Sequence, residues 1–217
     1  MDNSHIIKTK SPIALTFDDG PSEHTSRILD TLEKYNAKAS FFVLGERLEA
    51  GKDIVKRAHD MGNEVIVHSW THANLTTLTP DEIKKELTST QDAINKLLGT
   101  CPNFYRPPYG ANDDTVKKAS KEIGFSLINW SIDALDWENK NADIIFTKIM
   151  TWITAKAIIL CHDVYESTAE AMERVIPTLQ SGFELVTVSE LMKRCEVTLE
   201  AGRLYDNGSD EIINGFI

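Results

Sequence analysis

The sequence predicts an α/β fold in which about seven short strands alternate with helices and close into a parallel (β/α) barrel. Three observations carry that expectation. Short β-rich runs alternate with helical segments along almost the whole chain. No linker, repeat or low-complexity stretch divides its 217 residues, a length that suits a single domain with a substantial core. Reactive polar residues stand at or just beyond the carboxyl ends of several runs: Asp18 and Asp19, His68, Arg106, Asp133 and Asp136, and His162. In an open doubly wound sheet such ends lie in a row and converge only at a switch point, whereas a barrel gathers them around one mouth.

Candidate strands cover residues 13–17, 39–44, 64–67, 104–105, 126–130, 157–161 and 185–188. Candidate helices fill the gaps at 24–35, 52–61, 80–98, 113–123, 141–153, 168–181 and 189–195. The third helix is the most clearly marked. Thr79 suits the N-cap, Pro80 the first helical position, and Glu82 completes a capping box. Ile83, Leu87, Ile94 and Leu97 then share one apolar face, and Gly99 stops the helix. The tail beyond Cys195, with Asp206-Asn207-Gly208-Ser209-Asp210, reads as irregular.

Composition narrows the function classes. A formal charge of −10 and a pI near 5.1 leave no basic stripe to displace counterions, which argues against nucleic-acid binding. Lys84-Lys85 and Lys117-Lys118 lie beside acidic residues and read as solvated faces. No apolar stretch is long enough to span a bilayer. The opening residues Met1 to His5 lack the parts of a signal peptide, so the protein is either cytoplasmic or had a leader trimmed away. Cys101, Cys161 and Cys195 fit neither a zinc ribbon nor a disulfide framework, and Cys161 reads as a small buried apolar residue.

The chemistry concentrates in five segments. Asp18-Asp19-Gly20-Pro21 reads as an Asx-type turn with a helix cap, as a phosphoryl-accepting pair, or as a metal and base pair. Phosphoryl acceptors generally place their acids one residue apart, and these are adjacent. Neighbours on an extended strand point to opposite sides, so both serve one site only if a turn re-aims one of them. His68 and His72, in His68-Ser69-Trp70-Thr71-His72, share a face if the chain coils there. With one carboxylate they form a ligand set for a catalytic divalent ion, leaving the other carboxylate as a base. In Arg106-Pro107-Pro108-Tyr109-Gly110 the guanidinium is placed to hold a carboxylate bidentately, and the tight turn offers backbone N–H groups to an oxyanion. Asp133 and Asp136 suit helix caps or partners of a histidine. His162, closing an apolar run, is either a core hydrogen-bonder or, beside a carboxylate, a general acid. His5, His24 and His59 receive no role.

Together these segments, in this order, resemble the polysaccharide deacetylase family, also called the NodB homology domain or carbohydrate esterase family 4. The likeness rests on Thr16-Phe17-Asp18-Asp19-Gly20-Pro21, His68-Ser69-Trp70-Thr71-His72, Arg106-Pro107-Pro108-Tyr109, Asp133-Ala134-Leu135-Asp136-Trp137 and Leu160-Cys161-His162, and spans about residues 11–193. The resemblance implies a distorted (β/α) barrel. It implies Asp18 as general base, with Asp19, His68 and His72 holding zinc, cobalt or another divalent transition metal. Arg106 would position Asp18, and Asp136 would orient His162 as general acid. The Tyr109 N–H would meet the oxyanion, while Trp137 and Leu160 would line a pocket for the acetyl methyl. The expected reaction is hydrolysis of N-acetyl groups on an amino-sugar polysaccharide such as peptidoglycan or chitin, outside the cell or in its envelope. The alternatives are an esterase for acetylated xylan or an inactive glycan-binding module. The partner is an acetylated polysaccharide, and a monomer is the default.

Overall fold

The structure, a computed structural model, describes residues 10–209. Its nine strands join one sheet: β1 (Ser11–Asp18), β2 (Ser40–Leu44), β3 (Glu64–Ser69), β4 (Phe104–Tyr105), β5 (Ser126–Ile128), β6 (Ile132–Asp133), β7 (Ile158–His162), β8 (Phe183–Val186) and β9 (Leu204–Tyr205). The helices are α1 (Thr25–Lys34), α2 (Lys52–Asp60), α3 (Pro80–Leu98), α4 (Asp114–Glu122), the single turn α5 (Asp136–Asn139), α6 (Ala142–Trp152), α7 (Glu166–Gly182) and α8 (Val188–Arg194). Every strand pair is parallel, and the order is β6-β7-β1-β2-β3-β4-β5-β9. The capping box of α3 forms as expected, and Gly99 ends that helix at φ 72.

The barrel has more strands than expected and is distorted for visible reasons. The anticipated strand 126–130 breaks after Ile128, because the chain changes neighbours there. The Asn129 N–H bonds the Tyr205 carbonyl at 2.7 Å, and two residues on the Ser131 N–H bonds the Ile158 carbonyl at 3.0 Å. β6 then pairs with β7, and so links the two ends of the sheet. The tail is not irregular: β9 pairs with β5, and Asn207 bridges Ala157. Asp210 and His5 lie outside the described residues. On the other flank β1 is shared, its first half pairing with β8 and its second with β2.

Strand alternation sorts the core into two layers. Ile13, Leu15 and Phe17 of β1, with Val65, Val67, Ile159 and Cys161, pack outward against the helices. Ala14, Phe42, Ile66, Phe104, Ile128 and Ile158 point inward, sealed by Val188, Leu191 and Met192 of α8. Continuing the inward series two or four residues along each strand gives Thr16 and Asp18, His68, Arg106, Leu160 and His162. The reactive residues are thus the upper continuation of the inner core. Cys101, Cys161 and Cys195 are all free, and burial pushes the Cys161 thiol well above its ordinary range.

Candidate active site

Asp18 and His162 are register partners across β1 and β7, which puts the two on adjacent strands at the same height. Asp18 is buried, and its Oδ1 accepts a 2.7 Å hydrogen bond from Arg106 Nη1. Its Oδ2 lies 3.8 Å from His68 Nε2. Arg106 is fully buried, and its Cζ lies over the Phe42 ring, 4.1 Å from the ring centre. The contact is a single hydrogen bond rather than the expected fork. Nη1 is shared with Thr16 Oγ1 at 2.8 Å, while Nε and Nη2 reach the Ile128 and Asn129 carbonyls at 3.2 and 2.9 Å. The remaining donors are claimed by the strand break, so Arg106 ties β1 to β5 as well as holding Asp18.

Asp19 joins the same site because the chain turns sharply there, with φ 73. That left-handed backbone reverses the alternation and brings its carboxylate above β3. Asp19 Oδ1 lies 3.3 Å from His68 Nε2 and 3.2 Å from His72 Nε2. The two rings arrive by different routes. His68 sits in β3, whereas His72 follows a tight turn at φ 64 closed by a 2.9 Å bond from its N–H to Ser69 Oγ. The expectation that coiling places them on one face is therefore replaced by a strand and a turn. His68 Nδ1 donates to the Arg106 carbonyl at 2.8 Å, so in the neutral ring Nε2 presents a lone pair toward Asp19. Asp19 Oδ1 is buried with no hydrogen-bond partner among the described residues.

That orphaned oxygen and two converging nitrogens test the fit of a cation. One ligand atom from each residue falls within 4.8 Å of the other two, a set of three hard-to-borderline donors that suits a divalent transition metal with open positions. Burial pushes the Asp19 carboxyl up, and His68 and His72 more than reverse this, holding it below the usual carboxylate range. The rings exert that pull only when protonated, and a bound cation exerts it without protons.

His162 is held as firmly as Asp18. Asp136, fully buried at the start of α5, accepts from His162 Nδ1 and from the His162 backbone N–H, both at 2.7 Å. Thr168 Oγ1 completes the set at 2.7 Å. Burial lowers the imidazole, but the hydrogen bond and charge of Asp136, with Asp18 and Asp19, outweigh it and raise His162 to about 9. Asp133 bonds the Leu135 N–H at 2.8 Å and is also hydrogen-bonded to Trp137. Leu160 is buried beneath, and Trp137 and Tyr109 are exposed at the rim. Tyr109 has φ 61, and its hydroxyl lies 3.2 Å from His72 Nδ1.

The ten residues to which the resemblance gave a role therefore lie at the carboxyl-end mouth, whereas Asp133 holds the Leu135 N–H and leaves His162 to Asp136. Sequence reasoning missed Thr16, Thr168, Glu86, Arg47 and Asp163. Thr16 carried a signal, since residues two apart on a strand share a face with Asp18. Arg47, which donates to the Asp19 carbonyl at 3.0 Å, and the buried Asp163 carried none.

A family model described as polysaccharide deacetylase matches residues 6–128, a stretch that holds the first three motifs but not Asp136 or His162. A peptidoglycan-N-acetylglucosamine deacetylase of Listeria monocytogenes is 40% identical over 205 residues, 94% of this chain and 43% of the relative. The chain thus spans about two fifths of that protein's length. A peptidoglycan-N-acetylglucosamine deacetylase of Bacillus cereus is 35% identical over 85% of this chain and 69% of its own length. Among solved structures, a family 4 acetyl xylan esterase from Clostridium thermocellum in complex with a cobalt ion superposes with a TM-score of 0.84. It is 35% identical over 90% of this chain and 98% of that one.

Proposed function

The chain belongs to the polysaccharide deacetylase family, and on that premise we propose that it hydrolyses N-acetyl groups of amino-sugar polysaccharides of the peptidoglycan or chitin type. The chain would form a single catalytic domain with its core at about residues 11–193, acting in the cell envelope or outside the cell. The observation that carries the reading is the facing pair Asp18 and His162, each locked by an oppositely charged partner, flanking the Asp19–His68–His72 convergence.

A divalent ion held by Asp19, His68 and His72, zinc or a similar metal such as cobalt, would supply Lewis-acid activation of water and of the acetyl carbonyl. Asp18 is pinned through Oδ1 and keeps Oδ2 toward those ligands, which suits it to take the proton from the attacking water. Arg106 fixes its direction. The Tyr109 N–H, at the turn beside His72, donates to the carbonyl oxygen as negative charge gathers there. His162 then passes its Nε2 proton to the departing nitrogen while the C–N bond breaks, giving acetate and a free amine. Asp136 keeps Nδ1–H directed inward throughout, and Trp137 and Leu160 enclose the methyl.

His162 held protonated to about 9 favours an amide substrate, because an amine leaves only once it is protonated. The likeness to an acetyl xylan esterase favours a second reading, O-deacetylation of xylan. Measuring acetate release from chitin oligomers, peptidoglycan and acetylated xylan side by side separates them. Release from either amino-sugar substrate is the expected result, and release from xylan alone overturns the N-acetyl assignment.

A further inference from the structure

Of the three candidate ligands, His72 lies farthest from a strand, and the turn that carries it is held from outside. Glu86, part-buried on α3, directs both carboxylate oxygens at the two residues preceding His72. Oε2 accepts from the Trp70 and Thr71 N–H groups at 2.8 and 2.9 Å, and Oε1 accepts from Thr71 Oγ1 at 3.0 Å. On the other side the Trp70 carbonyl accepts from the Glu46 N–H at 3.2 Å. The Trp70 ring lies over Gly45, so close that a Cβ there would collide with it. Thr90, one helical turn beyond Glu86, lines the same spot.

This clamp has work to do, since His72 adopts φ 64, a conformation a non-glycine residue keeps only when its surroundings enforce it. The Ser69 bond ties the turn to the end of β3, and the Glu86 carboxylate holds the intervening Trp70–Thr71 backbone from α3.

We propose that Glu86 is a positioning residue for the metal centre, fixing the Trp70–Thr71 backbone so that His72 Nε2 meets the ion, and thereby setting the site's affinity. The inference rests on the reading of Asp19, His68 and His72 as metal ligands. Outer partners of ligands typically govern affinity by about 10–100-fold.

The test is titration of chelator-stripped protein with zinc against a competing chromophoric chelator. Glu86→Ala is expected to bind about 10–100-fold more weakly, and Glu86→Asp, which keeps the charge but lacks the reach, about 10-fold more weakly. Glu86→Gln can accept both N–H bonds and donate to Thr71, so it should stay within about threefold of the parent. Glu82→Ala weakens the start of the same helix and should leave affinity unchanged, which separates positioning from helix stability. Parental affinity in either Glu86→Ala or Glu86→Asp overturns the proposal, as does an equal loss in Glu82→Ala. Parental affinity in Asp19→Ala instead overturns the ligand reading beneath it.

Discussion

Replacing Asp136 by Asn changes one atom type in a fully buried site, and its effect on catalysis follows from the hydrogen bonds already in place. The carboxylate accepts three bonds at 2.7 Å, from His162 Nδ1, the His162 N–H and Thr168 Oγ1. An asparagine offers one acceptor and one donor. The backbone N–H cannot turn away, so the amide oxygen must face it and the NH₂ must face Nδ1. The imidazole then has to accept at Nδ1, which holds it neutral. In the parent His162 is raised to about 9, and removing the Asp136 hydrogen bond and charge, the largest raising causes, returns it toward the ordinary imidazole value of 6.5. At pH 8 the protonated fraction therefore falls from about 90% to about 3%, roughly 30-fold. At pH 5.5 the two proteins should differ far less. The assay is kcat/KM for acetate release between pH 5 and 10, with near-ultraviolet circular dichroism to establish the fold. The descending alkaline limb should move down by about two units or more. A uniform loss at every pH, with the limb unmoved, would refute the argument and leave Asp136 as a structural residue.

Three further expectations follow from the same geometry. His162→Ala should cut amide hydrolysis by about 10²–10⁴-fold, the range of a lost general acid, and undiminished acetate release would remove it from the mechanism. Arg106→Leu strands the buried Asp18 carboxylate and should cost about 3–5 kcal/mol in urea unfolding, with Asp18→Asn in the same chain recovering part of the loss. Burial, followed by the Asp19 and Asp18 charges, raises Asp163 to about 7, so the fold binds its proton more tightly than the unfolded chain does. That contribution is complete below the ordinary carboxyl range near 4 and is lost as pH rises through about 7. Asp163→Asn should abolish this fall, so urea midpoints of parent and variant must diverge between pH 4 and 8.

The inner face of the barrel was readable in advance wherever strands were long enough to show alternation. Thr16 and Asp18 on β1 are the clear case. The two strands that escaped notice, Ile132–Asp133 and Leu204–Tyr205, are each two residues long, too short for any period, and exist because distant segments offer them partners. The spacing of His68 and His72 pointed to a candidate ligand pair, but not to the left-handed turn that joins them. Turns of that kind are usually announced by glycine, and here Asp19, His72 and Tyr109 occupy them instead. The single bond from Arg106 to Asp18 was equally hidden, since its other donors answer carbonyls freed where β5 ends. Glu86 carried no signal in the sequence, because its partners come from another part of the chain.

The most direct test of the whole account is metal reconstitution. Protein stripped by a chelator should release no acetate from a chitin oligomer, and one equivalent of zinc or cobalt should restore activity in the parent but not in Asp19→Ala. Stripped protein that still releases acetate at the parental rate, or an Asp19→Ala variant that takes up one equivalent and regains full activity, would contradict it.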